Sequence, residues 1–279
     1  MRIGMTNNFY KNDDGVTDYN RMKADGYGFA DYQYLCDTHG VRYTCSEKEL
    51  EGMLTAERKA AEDAGVEMWQ VHGPWYVDDR TEESRAFNLA CMKRCALGTA
   101  LLGSKYMVVH PVMPYGWNKE DDPAWTVSLN EAYWHEVCDK AREYGVNVAL
   151  ENMPCGHHSI GTLPQVADFV RRMDIDNFCI CYDTGHSNVT KDKVYDAMVA
   201  AGDKLQVLHL HDNRHVDEHR FPHTGSFDWN AFKRGLGAIG FDGVYSLEIS
   251  IGPQCPAHIK DMYLKMLPAV VETLEAVGD

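Results

Sequence analysis

The sequence predicts one α/β domain, a single (β/α)8 TIM barrel over residues 1–279, with its site at the C-terminal ends of the strands. Two observations predict it. A short apolar run followed by a longer helical stretch recurs about every thirty residues, eight times in all. No linker or low-complexity insert breaks the alternation. A doubly wound open sheet would use similar elements, but no glycine-rich phosphate fingerprint follows the first apolar run.

The first strand is expected at residues 2–6 and the second at 27–32, and the segment between them carries the least regular pattern. Residues 46–64 read as a helix that opens on Ser46 with Glu49 three positions on, a capping-box pattern. A strand at 67–72 follows, then a helix at 81–102 that opens on Thr81, Glu82 and Glu83. Strands at 106–110, 147–151, 178–183, 206–211 and 244–250 alternate with helices at 126–144, 163–173, 192–202, 228–239 and 257–277.

Composition narrows the partners. With 27 basic against 42 acidic residues the net charge is −15. Lys and Arg are scattered singly or in pairs, so the surface is expected to repel nucleic acid and anionic membranes. No apolar stretch approaches the ~20 residues of a membrane helix. The start, MRIGMTNNFYKND, turns polar too early for a secretory signal. Nine cysteines in that context predict reduced thiols and a cytoplasmic protein. Cys91 with Cys95, and Cys179 with Cys181, are expected to pack as small apolar groups. An exposed Trp125 or Trp134 would mark the interface of a homo-oligomer.

Strand side chains alternate, so parity separates a helix-facing set from an interior set. In LHLHD, Leu208 and Leu210 oppose Val207, His209 and His211. In CICYD, Ile180 and Tyr182 oppose Cys179, Cys181 and Asp183. The same reading puts Glu248, Glu151, His110 and His72 on the interior faces of their strands, with Met68 and Gln70 beside His72 and Trp69 outward. One such residue alone would be a helix cap or a hydrogen-bonded core group. Six consecutive strands are different. Converging carboxylates repel unless a cation sits among them. Glu, Asp and His without thiolate suit manganese, zinc, cobalt, iron or magnesium.

The strand ends VHGP, VVHP, ALEN, YDTGH, LHLHDN and SLEIS resemble the xylose-isomerase-like barrel superfamily over about residues 66–250. Its tagatose 3-epimerase-like branch holds one divalent metal through four strands, and the matching positions are Glu151, Asp183, His209 and Glu248. The resemblance implies that Glu151 and Glu248 carry the proton transfers and that His186 contacts a substrate oxygen. The endonuclease IV-like branch uses three zinc ions, and the further positions that match its nine ligands are His72, His110, His186, Asp217 and His219. One to three ions are therefore implied.

The expected activity is a divalent-metal-dependent sugar isomerase or epimerase, moving a proton through a metal-stabilised enediolate. A multinuclear zinc phosphodiesterase is the alternative, although −15 argues against duplex DNA. A lyase or dehydratase on an oxidised sugar or inosose would keep the same fold and metal. Aromatics follow the strands where a carbohydrate pocket needs them: Phe9, Tyr10, Tyr32, Tyr34, Trp75, Tyr76, Tyr115 and Trp117. Trp75, Tyr115, Trp117, Arg214 and His211 are the candidate substrate contacts. Asn213 is a further candidate, while His157 and His158 in CGHHSIG read as exposed loop residues.

Overall fold

The protein is described by a computed structural model over residues 1–12, 16–75 and 78–277. Eight parallel strands hydrogen-bond into one sheet: β1 (Ile3–Thr6), β2 (Phe29–Tyr32), β3 (Glu67–His72), β4 (Tyr106–Val109), β5 (Asn147–Glu151), β6 (Phe178–Asp183), β7 (Leu205–His209) and β8 (Tyr245–Leu247). Neighbours follow chain order, and β8 pairs back onto β1. The ring closes between β7 and β8 where Leu210 bridges Leu247. There the Leu210 N–H donates to Ser246 O at 2.8 Å.

Ten α-helices surround the barrel among the described residues. They are α1 (Tyr19–Ala24), α2 (Val41–Thr44), α3 (Glu47–Ala64), α4 (Glu82–Leu101) and α5 (Pro123–Glu143). The second half adds α6 (Leu163–Met173), α7 (Thr184–Thr190), α8 (Val194–Ala201), α9 (Trp229–Ile239) and α10 (Ala257–Glu272). None is long and apolar enough to cross a membrane. The expected capping box is present at α3, where Ser46 and Glu49 satisfy each other's backbone N–H. Thr81 caps α4 with Ser84 as its reciprocal partner.

All eight expected strands form, with some ends displaced. β2 starts two residues late because Tyr27 leaves the ladder and donates its hydroxyl to Leu264 O at 2.7 Å. Parity holds over the second half of the barrel. Val108, Ala149, Cys179, Cys181 and Val207 form an interior cluster with Tyr106 against it, separate from the large core between sheet and helices. Early in β3 parity fails. The β2–β3 register shifts between Ala30 and Asp31, so Asp31 pairs with Gln70. Such a bulge turns the residues before it to the other face. Met68 therefore joins the outer core, where the Tyr19 hydroxyl reaches its sulfur at 3.9 Å. Trp69 instead meets Tyr106, with ring centroids 5.1 Å apart. The Arg2 guanidinium caps Trp69 at 4.3 Å and closes the N-terminal end of the barrel.

All nine cysteines are free thiols, and both expected pairs are buried. Trp134 is not an exposed interface mark. It is fully buried and donates its indole N–H to Asn130 Oδ1 at 3.0 Å, whereas Trp125 is 39% exposed. Trp134 lies on the buried face of α5, nine residues beyond Trp125, and stacks on Phe178 of β6.

Candidate metal centre

Strand register assembles the centre. Asp183 lies level with His209 across β6 and β7, and Glu151 lies level with Cys181 across β5 and β6. Glu248 follows directly on β8. Glu151, Asp183, His209 and Glu248 each offer one ligand atom, all within 4.8 Å of one another. His209 Nδ1 stands 3.2 Å from Glu151 Oε1 and 3.3 Å from Glu248 Oε2. Donors around one ion at bonds of about 2.0–2.2 Å sit roughly 3 to 4.4 Å apart, so this set fits a divalent cation.

Further groups adjoin or overlap this one among the described residues, and two of them reach beyond it. His72, His110 and Glu151 form the first, and His186, His211, Asp217 and His219 the second. Glu151 serves both the first group and the central one, with Oε2 3.2 Å from His110 Nε2. Asp217 is 3.2 Å from His219 Nε2 and 3.6 Å from His186 Nε2. All nine positions matched through the resemblance thus gather at the barrel mouth.

Hydrogen bonds behind the imidazoles fix which nitrogen faces the centre. A carbonyl oxygen only accepts, so a ring nitrogen against it must carry the proton. His72 Nδ1 donates to Gly73 O at 2.9 Å, His186 Nδ1 to Asn152 O at 2.8 Å, and His219 Nδ1 to Glu248 O at 2.8 Å. Each therefore presents Nε2 to the cavity. His219 is held in a left-handed conformation at φ 48°, a strained state for a non-glycine residue that persists only where the surroundings impose it.

The electrostatics favour carboxylates over carboxylic acids. Burial opposes charge on Glu151, yet His209, His110 and His72 hold its carboxyl well below the usual range. Burial likewise opposes charge on Asp183, and His186 and His211 bring it down. Burial pulls His110 below the ordinary histidine value, against the effect of Glu151. Cys181 lies beside Glu151 and His209, but burial raises its thiol well above the usual range, leaving it a poor ligand.

Over the centre lies a cavity of about 870 Å³, lined by Trp75, Tyr115 and Trp117 together with Glu151, His186 and Glu248. Two other candidate contacts lie elsewhere. His211 is fully buried behind Asp183, its Nε2 2.9 Å from Asp183 Oδ2 and its ring stacked on His219 at 3.8 Å. Arg214 is exposed on the β7–α9 loop, away from the cavity lining. Asn213 is spent on the fold, donating to Gly185 O at 2.7 Å. Tyr10 and Tyr32 are core residues, Tyr34 lines a separate 340 Å³ cavity, and Tyr76 lies outside the described residues. His158 is buried rather than exposed, because its Nε2 meets Trp117 O at 3.2 Å.

Sequence reasoning missed Asn152 and Asp31. Asn152 brackets Asp183, accepting its N–H at 2.8 Å and donating to its carbonyl at 3.0 Å. Asp31 is a fully buried carboxylate on β2, 3.2 Å from His209 Nε2. Extending the parity reading to FADY would have found it.

The chain is 30% identical to inosose isomerase of Bacillus velezensis over 149 residues, 51% of this chain and 52% of that one. It thus spans about half the length of that relative. It is 25% identical to a probable endonuclease 4 of Acholeplasma laidlawii over 218 residues, 74% of this chain and 71% of that one. Among solved structures, D-psicose 3-epimerase in the presence of D-fructose superposes with a TM-score of 0.79 at 17% identity, covering 98% of this chain and 99% of that one. The IOLI protein with a binding zinc atom gives 0.78 at 17%, covering 98% of both. The xylose isomerase-like TIM barrel family matches residues 19–263, and the chain belongs to it.

Proposed function

We propose that the chain works as one barrel domain that isomerises or epimerises a sugar carbonyl, with a divalent cation held by Glu151, Asp183, His209 and Glu248. The observation that carries this reading is the pairing of two glutamates, from β5 and from the end of β8, on one histidine at the floor of an aromatic-walled cavity. Inosose isomerase among the relatives, and zinc in the IOLI protein, support the same class. A divalent cation bound there would supply Lewis-acid polarisation of the substrate carbonyl.

The chain's own groups do the rest. Glu151 and Glu248 approach from different strands, so one takes the proton alpha to the carbonyl and the other returns it to the opposite face. Glu151 is held ionised, as a base must be. His186 donates Nδ1–H to Asn152 O, which leaves Nε2 facing the cavity to contact a substrate oxygen. Trp75, Tyr115 and Trp117 offer faces to the C–H surface of a sugar ring. Glu151→Gln and Glu248→Gln are each expected to lower turnover by about 10²–10⁴-fold with little change in KM, measured on a ketose panel. Near-wild-type rates in both would sink the two-carboxylate mechanism.

The central donor group and the two that reach beyond it favour one second reading, a multinuclear metal phosphodiesterase. The probable endonuclease 4 relative is consistent with it. Elemental analysis separates the two. One ion per chain fits the isomerase or epimerase, whereas two or three zinc ions would move the search to phosphodiesters.

A further inference from the structure

Asp31 is a buried charge that the proposed metal set leaves unused. It lies on the interior face at the end of β2 and is fully buried. Gln70 donates its side-chain N–H to Asp31 Oδ2 at 3.1 Å, across the register that the β2–β3 bulge creates. The other oxygen, Oδ1, has no hydrogen-bond partner among the described residues. Burying a carboxylate so incompletely satisfied is costly, so some interaction must hold it there. His209 Nε2 lies 3.2 Å from Oδ2 but is bent out of regular hydrogen-bond alignment.

His209 also differs from three of the other site histidines. His72, His186 and His219 turn Nδ1 to a backbone carbonyl and Nε2 to the cavity. His209 is reversed, with Nδ1 toward Glu151 and Glu248 and Nε2 toward β2. Among the described residues, no backbone carbonyl is in hydrogen-bond contact with that Nε2. An imidazole can ligate through Nδ1 only when Nδ1 is unprotonated, and the ring is then neutral with its proton on Nε2. That proton needs an acceptor in a fully buried site.

We infer that Asp31 is the positioning residue for His209, taking the Nε2–H and thereby turning the Nδ1 lone pair to the metal, with Gln70 fixing the Asp31 carboxylate. This inference rests on the metal assignment above but not on the sugar chemistry. A carboxylate behind a ligating histidine fixes its tautomer and orientation, and its loss costs about 10–100-fold in metal affinity.

The test is zinc affinity of the chelator-treated full-length chain, read by competition with a chromophoric chelator. Asp31→Leu is expected to bind zinc about 10–100-fold more weakly than the wild type. Asp31→Asn keeps an acceptor oxygen and should recover a large part of that loss. A merely structural role would lower the melting temperature of the metal-free protein without this rescue. Nitrogen-15 spectra of histidine-labelled protein with zinc bound give a second readout: the His209 ring should be protonated at Nε2 in the wild type and change in Gln70→Leu, which unpins Asp31 without removing it. Asp31→Leu affinity within twofold of wild type, or a His209 protonated at Nδ1, overturns the inference. A wild-type chain that takes up no zinc overturns it together with the metal assignment. Zinc binding that depends on Asp31 in a chain with no isomerase or epimerase activity would leave it standing and remove only the proposed reaction.

Discussion

The ring nitrogen left over after each imidazole meets a backbone carbonyl separates a histidine poised to ligate from one that packs. His72, His186 and His219 spend Nδ1 on a carbonyl and turn Nε2 to the cavity. His158 instead anchors a loop through Trp117 O and sits beside Glu120, with its side chain 3% exposed. Residue identity alone gives no such distinction, which is why CGHHSIG reads as surface. The two tryptophans of α5 make the same point for apolar groups. Trp134→Ala would open a cavity beneath β6 and is expected to cost about 3–5 kcal/mol in denaturant unfolding. Trp125→Ala, at a 39% exposed position, should cost far less. Equal losses would mean that Trp125 is covered in solution.

At the scale of elements, the strands were legible because a period of two is simple and residue-type signals mark its ends, whereas only the family resemblance singled out four of the inward residues as one donor set. Glu151, Asp183, His209 and Glu248 needed only parity to be put on one side of the sheet. The bulge at Ala30 and Asp31 was not legible, since an inserted residue reverses parity with no signature in EMWQVH. Parity over FADY puts Asp31 on the interior face opposite Ala30 and Tyr32, but its partners Gln70 and His209 emerge only from the register. Close approach between elements is equally silent in the sequence. Gly185 lies in the first turn of α7, and a Cβ there would overlap the ring of His211. His211 in turn hydrogen-bonds Asp183, so the missing side chain is what lets the helix start beside the centre. Gly185→Ala is expected to destabilise the protein by about 1–3 kcal/mol, the usual range for overpacking, and to weaken metal binding with it. Unchanged zinc affinity would show that His211 can shift without disturbing Asp183.

For the whole molecule, charge is the deciding quantity. The chain carries −15, and Asp31, Glu151, Asp183 and Glu248 add a local concentration of carboxylates at the barrel mouth. Phosphate tracking along a duplex needs clustered Lys and Arg, so fluorescence anisotropy with a labelled DNA duplex at physiological salt is expected to show no binding. Tight binding would revive the endonuclease-like reading. The same charge makes the metal a structural element as well as a chemical one. Without a cation, buried carboxylates are balanced only by imidazoles that must take up protons to do so. A ligand that binds only the folded state at 100 times its Kd adds about 2.7 kcal/mol, and each kcal/mol is worth roughly 2–4 °C in a chain somewhat smaller than this one. Zinc or manganese added to chelator-treated protein should therefore raise the melting temperature by roughly 5–10 °C, and Glu248→Gln should shrink that gain. Melting that is indifferent to chelator and to both metals would mean that the four converging side chains balance one another without an ion, and the metal-dependent reading would fall with that result.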